Sequence, residues 1–113
     1  MDYPKIIDSE GYPSRLILPV CVFPDADMVV EQSGHTPNGY FWAGVVEWLL
    51  RGPLSDLRAD FDLDPEGDTF VAYSDVSSSL VKLEKRLRDL LTDPSSLRVL
   101  IDEAHRAAFD FDD

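Results

Sequence analysis

"FDLDPEGDTFVAYS", residues 61–74, decides how this chain is read. Its first half places Asp62, Asp64, Glu66 and Gly67 at positions 1, 3, 5 and 6 of an EF-hand calcium loop. Such a loop needs a bidentate glutamate at position 12 and a helix leaving from it, but the twelfth residue is Tyr73, which brings no carboxylate. The residues of the would-be exit helix set Phe70 and Ala72 against Val71 and Tyr73, which is the period of a strand. Upstream, Gly52-Pro53 leaves no room for an entering helix. A turn accounts for more of the residues. Asp64-Pro65-Glu66-Gly67 has Asp first, Pro second and Gly last, the order of a type I turn, with Gly67 expected in the left-handed conformation. The stretch therefore predicts a hairpin, Phe61–Leu63 against Thr69–Tyr73, with Phe61, Leu63 and Phe70 facing the core.

Working outward, Arg15 to Phe23 is apolar and β-branched and reads as a strand. Pro19 has no amide to give a ladder, so the strand should be bulged or at an edge there. Ile6 and Ile7 suit a short partner strand, with Ser9-Glu10-Gly11-Tyr12 as the turn between. Asp25 to Pro37 reads as a loop with at most one helical turn near Asp27 to Glu31. Tyr40 to Arg51 reads as a helix opened by Asn38-Gly39 and stopped by Gly52-Pro53, and apolar on so much of its circumference that it should be the most buried one. Leu54 to Ala59 suits one further helical turn. A helix over about 76–91 has apolar positions at 80, 83, 87, 90 and 91, and the serines at its start are placed to cap amides. Asp93-Pro94 opens the last helix, expected to run to about Ala108, before a loose acidic tail from Phe109 to Asp113. The expected fold is α+β: a small antiparallel sheet, from the N-terminal strands and the 61–74 hairpin, packed against three main helices in one domain of residues 1–113.

Charge narrows the function. The 113 residues carry 10 basic and 22 acidic side chains, a net charge of −12. Such a field repels phosphate backbones and anionic lipid, which argues against nucleic-acid or membrane binding, and it attracts a basic protein partner. The single cysteine, Cys21, allows no internal disulfide and sits in an apolar stretch that suits a buried, inert thiol. Met-Asp-Tyr-Pro-Lys has neither the charged nor the apolar region of a signal peptide, and the run Leu16 to Phe23 is too short to span a bilayer. A reducing cytoplasm is the expected compartment.

Catalytic and cofactor motifs are absent from the sequence. His35 and His105 lie far apart along the chain, with no companion at metal-ligand spacing, and read as surface or capping residues. There is no Gly-x-Ser-x-Gly elbow and no phosphate-binding glycine loop. Carboxylate pairs such as Asp60 and Asp62 arise by chance in a chain this acidic. The expectation is no catalysis, no metal, no cofactor and no small-molecule substrate.

Three segments in order resemble a known family: "HTPNGYFWAGVVEWLL" (35–50), "FDLDPEGDTFVAYSD" (61–75) and "LVKLEKRLRDLLTDPSSLRVLI" (80–101). Asn-Gly-Tyr-x-Trp opening a helix, Phe-x-x-Asp-Pro-Glu-Gly before Phe-x-Ala-Tyr-Ser, and two closing helices are similar to the immunity protein 51 family of bacterial polymorphic-toxin systems. The resemblance covers about residues 35–101 and implies a non-catalytic antitoxin that binds a cognate toxin domain. Many such toxins act on nucleic acids through basic clefts, which an acidic protein can fill. Asn38, Gly39, Tyr40 and Trp42 are better explained by a turn and a buried helix than by toxin contact. The expected interface is instead among exposed carboxylates: Asp25, Asp27 and Glu31 in the loop, and Asp62, Glu66 and Asp68 at the hairpin. An acidic adaptor domain for another basic protein is the second reading, and an enzyme using surface carboxylates the third.

Overall fold

The computed structural model describes residues 2–20 and 22–113, so the reading of Cys21 lies outside the described residues. The chain order is β1 (Lys5–Ile7), β2 (Ser14–Pro19), α1 (Pro24–Gln32), α2 (Gly39–Arg51), a 3₁₀ turn (Ser55–Leu57), β3 (Asp62–Pro65), β4 (Thr69–Ser74), α3 (Ser77–Thr92) and α4 (Pro94–Arg106). The strands make an antiparallel sheet in the order β1-β2-β4-β3. The fold is α+β as expected, with one more helix than the sequence suggested.

Alternation decides which face of the sheet is covered. Leu16 and Leu18 of β2 and Phe70 and Ala72 of β4 are fully buried. Between them, Ile17 pairs with Val71 and Arg15 with Tyr73, on the opposite face, where the side chains stay partly exposed. Helix α3 packs on β1, β2 and β4, and α2 on β3 and β4. The same face therefore receives Phe41, Val45 and Val46 of α2 and Leu80, Leu83 and Leu87 of α3, all with no exposed surface. Each such side chain contributes about 1.5–3 kcal/mol of apolar burial. Helix α2 is buried along most of its length, as its sequence predicts.

Pro19 is tolerated for the reason foreseen. β1 ends its pairing at Lys5 opposite Ile17, so at Pro19 the β2 strand has β4 on one side only. The Ser9–Tyr12 turn is closed by the Tyr12 amide donating to Ser9 O at 3.1 Å, with Gly11 at φ +81°.

Three local readings are corrected. The hairpin forms, but Asp64 and Pro65 belong to β3, opposite Val71 and Phe70, and the bend falls at Gly67-Asp68, two residues later than expected. The Glu66 amide donates to Thr69 O at 2.7 Å, and alternation then puts Pro65 in a non-hydrogen-bonded pair on an edge strand, where its missing N–H costs nothing. Gly67 is accordingly not among the positive-φ residues. Second, residues 24–32 are a helix and not a loop: Pro24 suits its first position, and Ala26, Val29 and Val30 make an i, i+3, i+4 apolar stripe that is buried. Third, no side chain caps the start of α3; the buried Ser79 hydroxyl donates instead to Asp60 at 2.6 Å. Asp93 does cap α4, accepting from the Ser96 amide at 3.4 Å and also from the Ser96 hydroxyl at 2.8 Å.

Candidate functional site

The six carboxylates expected at the interface fall into two neighbouring groups and one outlier. Glu66 and Asp68 flank the hairpin bend and are exposed. The Val20 amide donates to Asp68 O at 3.0 Å, so the chain passes the hairpin bend and enters α1 a few residues later. Asp25, Asp27 and Glu31 lie on that helix, not in a loop, which fixes their spacing to one helical turn between Asp27 and Glu31. Asp27 is half-buried. Its desolvation, and then the carboxylate of Glu31, hold its pKa above the ordinary value of 3.8. Asp62 sits apart at the other end of β3, roughly 13 Å along the strand from Glu66. There it lines a concavity of about 250 Å³ with Asp60, Asp75, Tyr73 and Pro13.

Two features went unread in the sequence. One is a small concavity of about 60 Å³ between α2, the end of β3 and the C-terminal tail, lined by Glu47, Asp110 and Asp112 with Tyr40, Gly44 and Pro65. It extends the carboxylate surface of Glu66 toward the C-terminal tail.

The other is the tail itself, which is docked and not loose. Helix α4 ends at Arg106, and Ala108 turns into the left-handed region at φ +55°. The Ala108 amide donates to His105 O at 3.0 Å and the Phe109 amide to Ala104 O at 2.9 Å, the two bonds of a Schellman closure. This reversal buries Phe109 against Trp48, under the guanidinium of Arg51 at 4.9 Å. Phe111 then stacks on Phe41 with centroids 5.0 Å apart. Asp113 accepts from the Thr36 amide at 2.6 Å and from His35 Nδ1 at 2.8 Å.

His35 is set by a second Schellman closure at the end of α1. Gly34, at φ +87°, donates to Glu31 O at 3.0 Å, and the His35 amide to Val30 O at 3.1 Å. The two reversals bring His35 Nε2 to 2.7 Å from His105 Nε2, so histidines 70 residues apart in sequence are partners in space. Sequence spacing gave no hint of that contact. The available signals were Gly34 just before His35, which marks a helix end, and the Phe109-x-Phe111 pattern, which marks a segment with apolar side chains to bury.

The arrangement offers carboxylates and a pair of histidines, and its serine–carboxylate contacts, such as Ser79 with Asp60, lie apart from the histidine pair in the chain. Among the described residues no group of three or more His, Cys, Asp or Glu is arranged to hold a metal ion, and no helix is long and apolar enough to cross a membrane. A family model described as Immunity protein 51 matches residues 5–106, from the first residue of β1 to the last of α4. The match takes in the N-terminal strands, where the sequence resemblance is only loose. No curated protein and no solved structure matches the chain.

Proposed function

This chain belongs to the Immunity protein 51 family, and we propose that it binds and neutralises a cognate bacterial toxin by covering a basic active-site cleft. Family membership carries the immunity role and a protein toxin as partner. The blockade of a basic cleft is our reading, and the observation behind it is the net charge of −12 on 113 residues. At that charge density a basic partner is steered into contact, and phosphate-like carboxylates can occupy the positions of a nucleic-acid substrate. The whole domain acts as a stoichiometric inhibitor in the cytoplasm of the producing cell, without turnover.

The favoured contact surface is the end of the molecule that carries the hairpin bend, from which the chain runs through Val20 into α1. Glu66 and Asp68 lead it, with Asp25, Asp27 and Glu31 beside them; Asp62 is the most remote of the six. Co-expression with the product of the adjacent reading frame tests the function: growth is rescued and the two chains co-purify. If no neighbouring product is toxic or binds, the immunity reading fails. Glu66→Lys with Asp68→Lys tests the surface. Slower association and a flatter salt dependence support it, whereas unchanged binding and neutralisation exclude the hairpin.

A further inference from the structure

We propose that His35 and His105 form a two-nitrogen site for a divalent transition metal of the zinc class, at the seam between α4, the α1–α2 connection and the C-terminal tail. This goes beyond the toxin-binding reading and is independent of it.

Hydrogen-bond chemistry carries the argument. Asp113 is 2.8 Å from His35 Nδ1, and a carboxylate there requires that nitrogen to bear the proton. Neutral His35 then presents a bare lone pair at Nε2. That atom faces His105 Nε2 at 2.7 Å, and two bare nitrogens at this distance repel. A neutral His105 protonated at Nε2 satisfies the contact as an N–H···N hydrogen bond, and a cation bound to both nitrogens can take the place of that proton. A carboxylate on the far nitrogen of a ligating histidine is also how metal sites fix the tautomer and raise ligand basicity.

The geometry needs little change to accept the ion. Zinc at about 2.0–2.1 Å from each nitrogen in tetrahedral angles sets the nitrogens roughly 3.3 Å apart, so the rings separate by roughly 0.6 Å. His35 is pinned by its backbone closure, by Asp113 and by the edge of Phe111, whereas His105 is exposed and is held only by its contacts with His35 and Phe111. Binding leaves the His35–Asp113 contact intact. Water fills the remaining positions, because among the described residues no third carboxylate, thiolate or imidazole completes a set of three. Imidazole pairs favour Zn²⁺, Ni²⁺ and Cu²⁺ over Mg²⁺ and Ca²⁺, which seek oxygen.

The test is titration of the chelator-treated full chain with Zn²⁺, read by calorimetry and by long-range ¹H–¹⁵N spectra of the imidazole nitrogens. One equivalent should bind, with the Nε2 signals of both histidines shifting together. His105→Ala should lose tenfold or more in affinity, and Asp113→Ala should weaken binding by roughly tenfold through His35. Ca²⁺ serves as the control for diffuse attraction to an acidic protein. An equal response to Ca²⁺, a shift of only one histidine, or unchanged zinc affinity in His105→Ala overturns the site. The spectra of the wild-type chain decide the matter even if a variant is poorly folded.

Discussion

Gly39 lies so close under the hairpin that a Cβ at its position would stand 2.0 Å from the carbonyl oxygen of Glu66 and 2.2 Å from that of Thr69. Those obstacles are backbone, at the point where the hairpin bend meets the first turn of α2. The Asn38-Gly39 pair thus does two jobs. Asn38 accepts from the Phe41 amide at 2.8 Å and starts the helix, and Gly39 lets the sheet touch it.

Gly39→Ala should therefore be among the most damaging single substitutions, because neither neighbour is a side chain that can swing away. The expected cost is about 3 kcal/mol or more, in the range reserved for overpacking and forced backbone shifts. Asn38→Ala should cost only about 1 kcal/mol, the worth of one cap. Urea unfolding of both variants checks the order; equal midpoints would deny the close approach.

Ala108 offers the opposite case. A non-glycine residue at φ +55° bears the left-handed penalty at the position where Schellman closures favour glycine. Ala108→Gly should stabilise the fold by about 0.5–1 kcal/mol, less than the full penalty because glycine also loosens the unfolded chain. Thermal melts should show a rise in Tm of roughly 3 °C.

The apolar framework was legible because it repeats with a clear period. Phe70 and Ala72 alternate, and positions 80, 83, 87, 90 and 91 fall on one helical stripe that is buried throughout. The hairpin was legible in kind but not in register: Asp64-Pro65 has the chemistry of a turn, and it is the tertiary setting on an edge strand that admits Pro65 into β3. Helix α1 was missed because its buried stripe is only Ala26, Val29 and Val30, too short to outweigh the turn residues that follow. The docked tail depends on contacts between Asp113 and residues 77 and 78 positions away, Thr36 and His35, which no local pattern encodes. The carboxylates were found by charge alone, and charge does not say which of them share a face.

Asp27 should respond to pH in a defined direction. Burial, then Glu31, holds its pKa above 3.8, so the folded protein binds that proton more tightly than the unfolded chain does. Its contribution to stability is full below 3.8 and is lost as pH rises through the raised folded value. Asp27→Asn should then raise Tm at pH 7, with the gain fading as pH falls toward 3.8. Melting both proteins across that range is the check, and a gain that grows on acidification would contradict the assignment.

Gly44 and Phe111 should behave as a coupled pair. A Cβ on Gly44 would lie 2.7 Å from Phe111 Cδ1, so Gly44→Ala should push the ring off Phe41 and release residues 109–113. Phe111→Ala should release the same segment by removing the ring. Each single change should cost about 1–2 kcal/mol and speed amide exchange in the tail. The double variant separates steric displacement from general damage. With the ring gone, the 2.7 Å obstacle beside position 44 is removed, and the Cα of residue 111, at 3.6 Å, is in ordinary contact range. Alanine is also the better residue inside a helix by about 1 kcal/mol. Gly44→Ala should then be neutral or stabilising in the Phe111→Ala background, giving a coupling energy of roughly 1–3 kcal/mol. Simple additivity would show that the tail does not rest on Gly44. It would also remove the support that Phe111 gives to His35, and with it the fixed geometry on which the proposed metal site depends.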